Sequence, residues 1–297
     1  MNVAAPKTAS MRWIYRIYIL LFYVYLIAPL AANAVFAFNK SLFPTLPWRG
    51  FTLQWFFGQS FPTVGMFNDP RLMAGLVTSF YVGLIVAATS VALGTFNAFL
   101  FERYDFKGKA FLYGVLIIPL VIPGVIIGIS LLVISNMAAN GIQNGLGIHL
   151  SFLRPGLAMV CLGQISFITT ITSLVIAARL RKFDTALEEA ALNLGAHKLR
   201  VLTTITLRYL APSMLAAGIL AFLMSFENFN TTIMLVGARS PLTVVMYNEM
   251  IKIGSTPALN AVSFLLMIGS GILALISVVA QRDKRSAGAA SDRAGEF

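Results

Sequence analysis

Few residues in this chain have the chemistry to bind or react, and the most conspicuous is a carboxylate inside an apolar run. Phe222-Leu-Met-Ser-Phe-Glu227-Asn228-Phe-Asn230-Thr231-Thr232 holds the one acid set deep within such a run. An unpaired acid at the centre of a bilayer costs about 2.5 to 3.5 kcal/mol or more, so Glu227 is expected to face a water-filled cavity or a partner chain. On a helix starting near Pro212 it lies roughly 22 Å further along, in the outer half of the membrane. Asn230 and Thr231, at i+3 and i+4, would then share its face and complete a short polar stripe. Two readings stay open. The carboxylate offers charge-assisted hydrogen bonds to a cationic substrate, with Phe226 or Phe229 adding cation–π attraction, or it makes a structural hydrogen bond or ion pair with a neighbouring chain.

Other chemistry is thinly represented. Cys161 is the single cysteine, so no intrachain disulfide forms, and His149 and His197 make no cluster with metal-ligand spacing. The phosphate-cradling G-x-x-x-x-G-K-[ST] loop, the G-x-S-x-G elbow, the H-E-x-x-H helix and the G-x-G-x-x-G turn are all absent. The pattern is that of a transporter or channel with no catalytic residue, and any energy from ATP must come from another chain.

The elements that position these residues are membrane spans. Of 297 residues 58% are hydrophobic and 11% charged, which excludes an ordinary soluble domain and makes lipid the main surroundings. Six apolar runs are long enough to cross: Tyr15 to Phe38, Met73 to Leu100, Phe111 to Ile134, Leu157 to Ile176, Leu210 to Val236 and Ala258 to Ala280. In the third, Pro119 and Pro123 remove two backbone donors and predict a kink. The net charge of +11 would suggest nucleic acid in a soluble protein. Here 16 of the 22 Lys and Arg residues fall on the side of the two termini, which accounts for the charge through topology and places both termini in the cytoplasm. Ala32-Asn33-Ala34 resembles a signal cleavage site, but the apolar run continues to Phe38, as a retained helix requires. Residues 1–14 read as a cytoplasmic tail, 15–285 as one membrane domain of all-α fold, and 286–297 as a small, polar, flexible tail.

Between the fourth and fifth spans lies the longest cytoplasmic segment, with a predicted helix over about 185–195. Thr185 and Glu188 fit a capping box, Glu188 and Glu189 suit the positive end of the dipole, and Gly195 stops the helix. Leu187, Ala190, Ala191 and Leu194 follow the i, i+3, i+4, i+7 spacing of one apolar face, which either packs on the protein's own surface or docks on a partner.

Glu189-Ala190-Ala191, three residues, Gly195, nine residues, Ile205, one residue, Leu207 resembles the E-A-A-x3-G-x9-I-x-L-P signature of permease subunits of ATP-binding-cassette importers. The family's final proline is Arg208 here. Ile117-Ile-Pro119-Leu-Val-Ile-Pro123-Gly124, Gly50-Phe-Thr-Leu-Gln-Trp55 and Thr256-Pro257-Ala-Leu-Asn260-Ala261 are similar to the spermidine/putrescine branch, although thiamine, iron, phosphonate and opine branches share much of the pattern. The resemblance implies the type I importer fold with six transmembrane helices in a bacterial inner membrane. It implies that Glu188, Glu189, Ala190, Ala191, Gly195, Ile205 and Leu207 belong to the coupling segment, whose helix sits in a groove of a cytoplasmic ATPase present in two copies. ATP and magnesium would be bound there, with no cofactor in this chain. A second, homologous permease and an extracytoplasmic substrate-binding protein complete the expected assembly. It also implies that Glu227 alone occupies the acidic position of the polyamine path; Asn230, Thr231 and Phe226 join the candidate substrate path only by their place beside it on the helix. The competing class is an ion-coupled secondary transporter or channel that uses Glu227 as its ion site.

Overall fold

The structure is a computed structural model that describes the backbone of residues 9–294 and the side chains of 13–279. It is helical, and among the described residues the one extended pairing is an isolated bridge between Asn39 and Phe51. Six helices are long and apolar enough to cross a membrane. The chain divides into two units, one of residues 1–73 with 249–268 and one of 74–248 with 269–297.

In the first unit, α1 (Ala9–Phe38) is bare along its spanning stretch, as a helix facing lipid or another chain must be. It ends in a knot centred on Asn39. The buried Asn39 side chain accepts from the Arg49 amide at 2.8 Å and donates to the Thr45 carbonyl at 3.0 Å, while its own carbonyl accepts from the Trp55 indole at 2.8 Å. Phe38 stacks on Phe51 and on Phe56 of the short α2 (Gln54–Phe57), so the Gly50 to Trp55 stretch is a folded cap over the end of α1.

The second unit is built around α6 (Leu157–Leu180), the most deeply buried span. It packs along α9 (Leu207–Phe226) and beside α3 (Pro70–Arg103), which belongs to this unit from Ala74 onward. Val82, Val86, Met159, Ile168 and Leu235 form one core cluster, and Ala98, Ile176, Leu180, Leu210 and Ala217 form a second. Two of the hydroxyls inside the bundle donate to backbone carbonyls of neighbouring helices. Thr172 donates to Ser90 at 2.7 Å and Thr170 to Leu116 at 2.6 Å, which is how polar side chains become tolerable and adhesive in lipid.

The third apolar run departs from expectation. It is two helices, α4 (Lys109–Val121) and α5 (Gly124–Leu146), and only α5 is long enough to span. Pro119 and Pro123 do more than kink it. With two amides missing four residues apart and Ile122 pushed to extended geometry by the proline after it (ψ 128°), the helix stops and restarts. Consequently α5 runs on through Asn136, Asn140 and Gln143, beyond the end of the third apolar run, and Arg154 clamps its end by donating to Asn140 and Gln143. The stretch between the fifth and sixth apolar runs likewise contains a helix, α11 (Leu242–Ile253). The last helix is α12 (Pro257–Ala294). Residues 1–8 of the N-terminal tail and 295–297 lie outside the described residues.

Candidate functional site

The segment between α6 and α9 forms α7 (Ala186–Asn193), α8 (Lys198–Val201) and a π-helical turn over Leu202–Thr206 that leads directly into α9. At the start of α7 the expected capping box is not made. Asp184 takes the role, its Oδ1 accepting from the Ala186 amide at 3.0 Å. Glu188 is thereby free to turn inward. Its Oε1 receives the hydroxyl of the buried Thr206 and lies 3.2 Å from Nη2 of Arg103 at the end of α3. The Arg103 guanidinium stands over Phe183, whose ring meets Tyr209, and Arg179 covers that tyrosine 4.2 Å from its centroid. One carboxylate thus ties α7 both to α3 and to the π turn.

The other face of α7 is left bare. Leu187 is 53% and Leu194 89% exposed and Ala190 is exposed, while Ala191 is half-buried, so the chain itself covers little of this face. Glu189 is exposed as well. Gly195 ends the helix at φ +85°, with its amide on the Leu192 carbonyl and that of Ala196 on Ala191, the two bonds of a Schellman cap. The π turn has a local cause. Thr203 and Thr204 donate to the Leu199 and Arg200 carbonyls, competing with the backbone ladder. Ile205 packs on the core cluster and Leu207 opens α9, where Arg208 lets the chain continue as helix.

At the opposite end of α9 the helix stops at Phe226, and Glu227 is its C-terminal cap. The predicted continuous stripe is therefore corrected. Asn230 and Thr231 lie in an irregular stretch before a new turn, α10 (Thr232–Leu235), and do not share a helical face with Glu227. Glu227 and Asn230 are exposed, whereas Thr231 is fully buried with its hydroxyl unpaired. Phe226 leans on Phe222, and Phe229 on Tyr247 of α11. Glu227 accepts from the Ser270 hydroxyl at 2.9 Å, and among the described residues no lysine or arginine pairs with it.

What holds this break is a residue the sequence reading passed over. Gln164 of α6, 1% exposed, donates to Thr232 at 2.8 Å and accepts from Ser225, so it bridges the last turn of α9 to the first residue of α10. Asn228 completes the join by accepting from both the amide and the hydroxyl of Thr232. Gly163 beside Gln164 lets the break approach: a Cβ there would stand 2.5 Å from Leu235 and 3.0 Å from Thr231. Gln164 is the one amide within the fourth apolar run, and that is the signal by which it was detectable.

Residues 90–285 match the model for the binding-protein-dependent transport system inner membrane component, spanning both the pinned α7 and the break after Glu227. The chain belongs to that family. Among curated relatives, the permease is 29% identical over 262 residues to the spermidine/putrescine transport system permease protein PotC of Escherichia coli strain K12, covering 88% of this chain and 91% of that one. It is 34% identical over 217 residues to the molybdenum transport system permease protein ModB of the same strain, covering 71% and 92%. Among solved structures, a bacterial ABC transporter that imports the acidic polysaccharide alginate superposes with a TM-score of 0.68 at 16% identity, covering 93% of the permease and 96% of that chain. The permease is thus an all-α, multi-pass inner-membrane component with the fold of ABC transporter permeases.

Proposed function

We propose that the permease forms the transmembrane path of an ABC importer for a small cationic substrate such as a polyamine, and that α7 couples this path to a separate cytoplasmic ATPase. The observation that carries the coupling role is the division of α7 into two faces. Glu188 fastens one to the spans, while Leu187, Ala190 and Leu194 stand free on the other. In this reading two ATPase copies bind ATP and magnesium, a second permease completes the path, a binding protein delivers the substrate from outside, and both termini are cytoplasmic. The family description, with its reference to a binding protein, supports that partner, as does the alginate transporter solved with its substrate-bound periplasmic protein. The charge asymmetry of the loops supports the orientation.

For the substrate, PotC supports a polyamine and ModB a molybdenum-containing cargo. The local electrostatics favour a cation. Glu227 caps α9, so its carboxylate adds to the negative end of that helix, and among the described residues no basic side chain neutralises it. The test is uptake by the assembled transporter with the Glu227→Gln variant. A loss of cationic uptake without loss of assembly is expected. Unchanged uptake of polyamine removes Glu227 from the path, and isolation of the chain without an ATPase, transporting on an ion gradient alone, overturns the coupling role.

A further inference from the structure

A cleft of about 650 Å³ lies between the end of α3 and the segment formed by α7, α8 and the π turn. Each of its two walls combines apolar residues with a basic one. On α3 the lining runs from Phe96 and Leu100, both in the apolar part of the span, to Arg103 and Tyr104 at the helix end. On the other wall the lining comprises Leu207, Leu202 and Val201 and, at the start of α8, Lys198. Phe96 and Tyr104 are 64% and 63% exposed, and the eight-residue step from Phe96 to Tyr104, just past the end of α3, corresponds to roughly 12 Å. The cleft is therefore apolar where it meets the span and basic where the span ends. Its lining holds two cations against one carboxylate, Glu188, which already engages Arg103 and leaves Lys198 without a carboxylate partner in the cleft.

We infer that this cleft is a binding site for an anionic phospholipid of the inner leaflet, with an acyl chain against Phe96 and Leu207 and the phosphate held by Lys198, Tyr104 and the edge of Arg103. Charge and polarity match an anionic lipid at the depth of its headgroup, where basic pockets between spans attract such lipids. The docking face of α7 does not compete for this space. Glu188 and Leu192, which line the cleft, stand roughly 130° and 170° round the helix from the centre of the Leu187, Ala190 and Leu194 face. Because the phosphate would lie beside the Arg103–Glu188 pair, lipid occupancy bears on the residue that fastens α7.

The inference rests on the cytoplasmic placement of α7 proposed above, which has its own control: Leu194→Cys should react with a membrane-impermeant maleimide only from the cytoplasmic side. The site itself is tested with the full-length permease in nanodiscs of phosphatidylcholine doped with photoactivatable phosphatidylglycerol. Cross-links should concentrate on residues 96–104 and 198–202. They should fall about fivefold in Lys198→Ala, the effect of one basic side chain near a charged surface, and stay unchanged in Lys182→Ala, an exposed cation outside the cleft. Photoactivatable phosphatidylcholine labelling the same peptides equally would overturn charge recognition. Labelling absent from these peptides, or lost when a protein partner is added, would overturn the lipid as occupant. Maleimide reaction from the outer side would overturn the inner-leaflet placement whatever the lipid labels.

Discussion

Replacing Glu188 with alanine removes two interactions made by one oxygen, and the geometry sets how much that should cost. The Arg103 pair has both side chains 23% exposed, between a solvated ion pair and a buried one, so about 1 kcal/mol is a reasonable share. The hydrogen bond from Thr206, a fully buried hydroxyl, goes to a charged acceptor and is worth about 1.5 to 3 kcal/mol. Thr206 can partly recover by bonding back to a helical carbonyl, which brings Glu188→Ala to roughly 2 to 3 kcal/mol in total. Glu188→Gln keeps an acceptor for Thr206 and should lose about half as much. The assay is thermal unfolding of the purified permease in detergent, run as a double-mutant cycle with Arg103→Ala. A coupling energy near 1 kcal/mol is expected. If the double variant is additive to within about 0.3 kcal/mol, the pair does not fasten α7 and the reasoning fails. In the assembled transporter the same variant should still bind its ATPase, since the docking face is untouched, while uptake per ATP hydrolysed falls.

Further predictions concern the break after Glu227 and the end of α7. Gln164→Leu orphans the Ser225 hydroxyl inside the bundle and should cost about 1 to 3 kcal/mol, read as a lowered unfolding temperature; full stability would show that the network does not hold α10 in place. Gly163→Val should be worse than Gly163→Ala, because even a single Cβ meets Leu235 at 2.5 Å, and limited proteolysis near residues 227–231 should report the loosened join. Gly195→Asp puts a branched charge at φ +85°, at a cost of about 1 to 2 kcal/mol, and should impair ATP-driven uptake while leaving the spans intact; full uptake would count against the coupling role.

Much of this was legible in the residues, and the parts that were not share a cause. The spans are written in hydropathy, and the stop at Gly195 in a residue type that tolerates positive φ. The break after Glu227 is hidden because Thr232-Ile-Met-Leu235 stays apolar, so a window about 19 residues wide averages across it. Its helix end is set by Gln164, 63 residues upstream in another span, and a local pattern carries no trace of that partner. The same holds for Glu188. Spacing suggested a capping box with Thr185, but Asp184 is one residue nearer the turn, and the carboxylate found a tertiary partner instead. At Pro119 and Pro123 the sequence indicates the right place and too mild an effect, because each missing amide alone predicts a kink, whereas the extended Ile122 that Pro123 imposes ends the helix.

The modest length of α7 has a mechanical consequence. Eight residues make a rod of roughly 12 Å, too short to be stable as a helix by itself, so its stiffness is borrowed from what it touches. Its polar tether to α3 and the π turn is one side chain, Glu188, which acts more as a ball joint than a weld. A push along the rod reaches α3 and the root of α9 together through Glu188, whereas a twist about the rod's own axis is absorbed at the joint. In the coupling role proposed above, such a linkage delivers displacement to two spans at once and filters out torque from the engine beneath it.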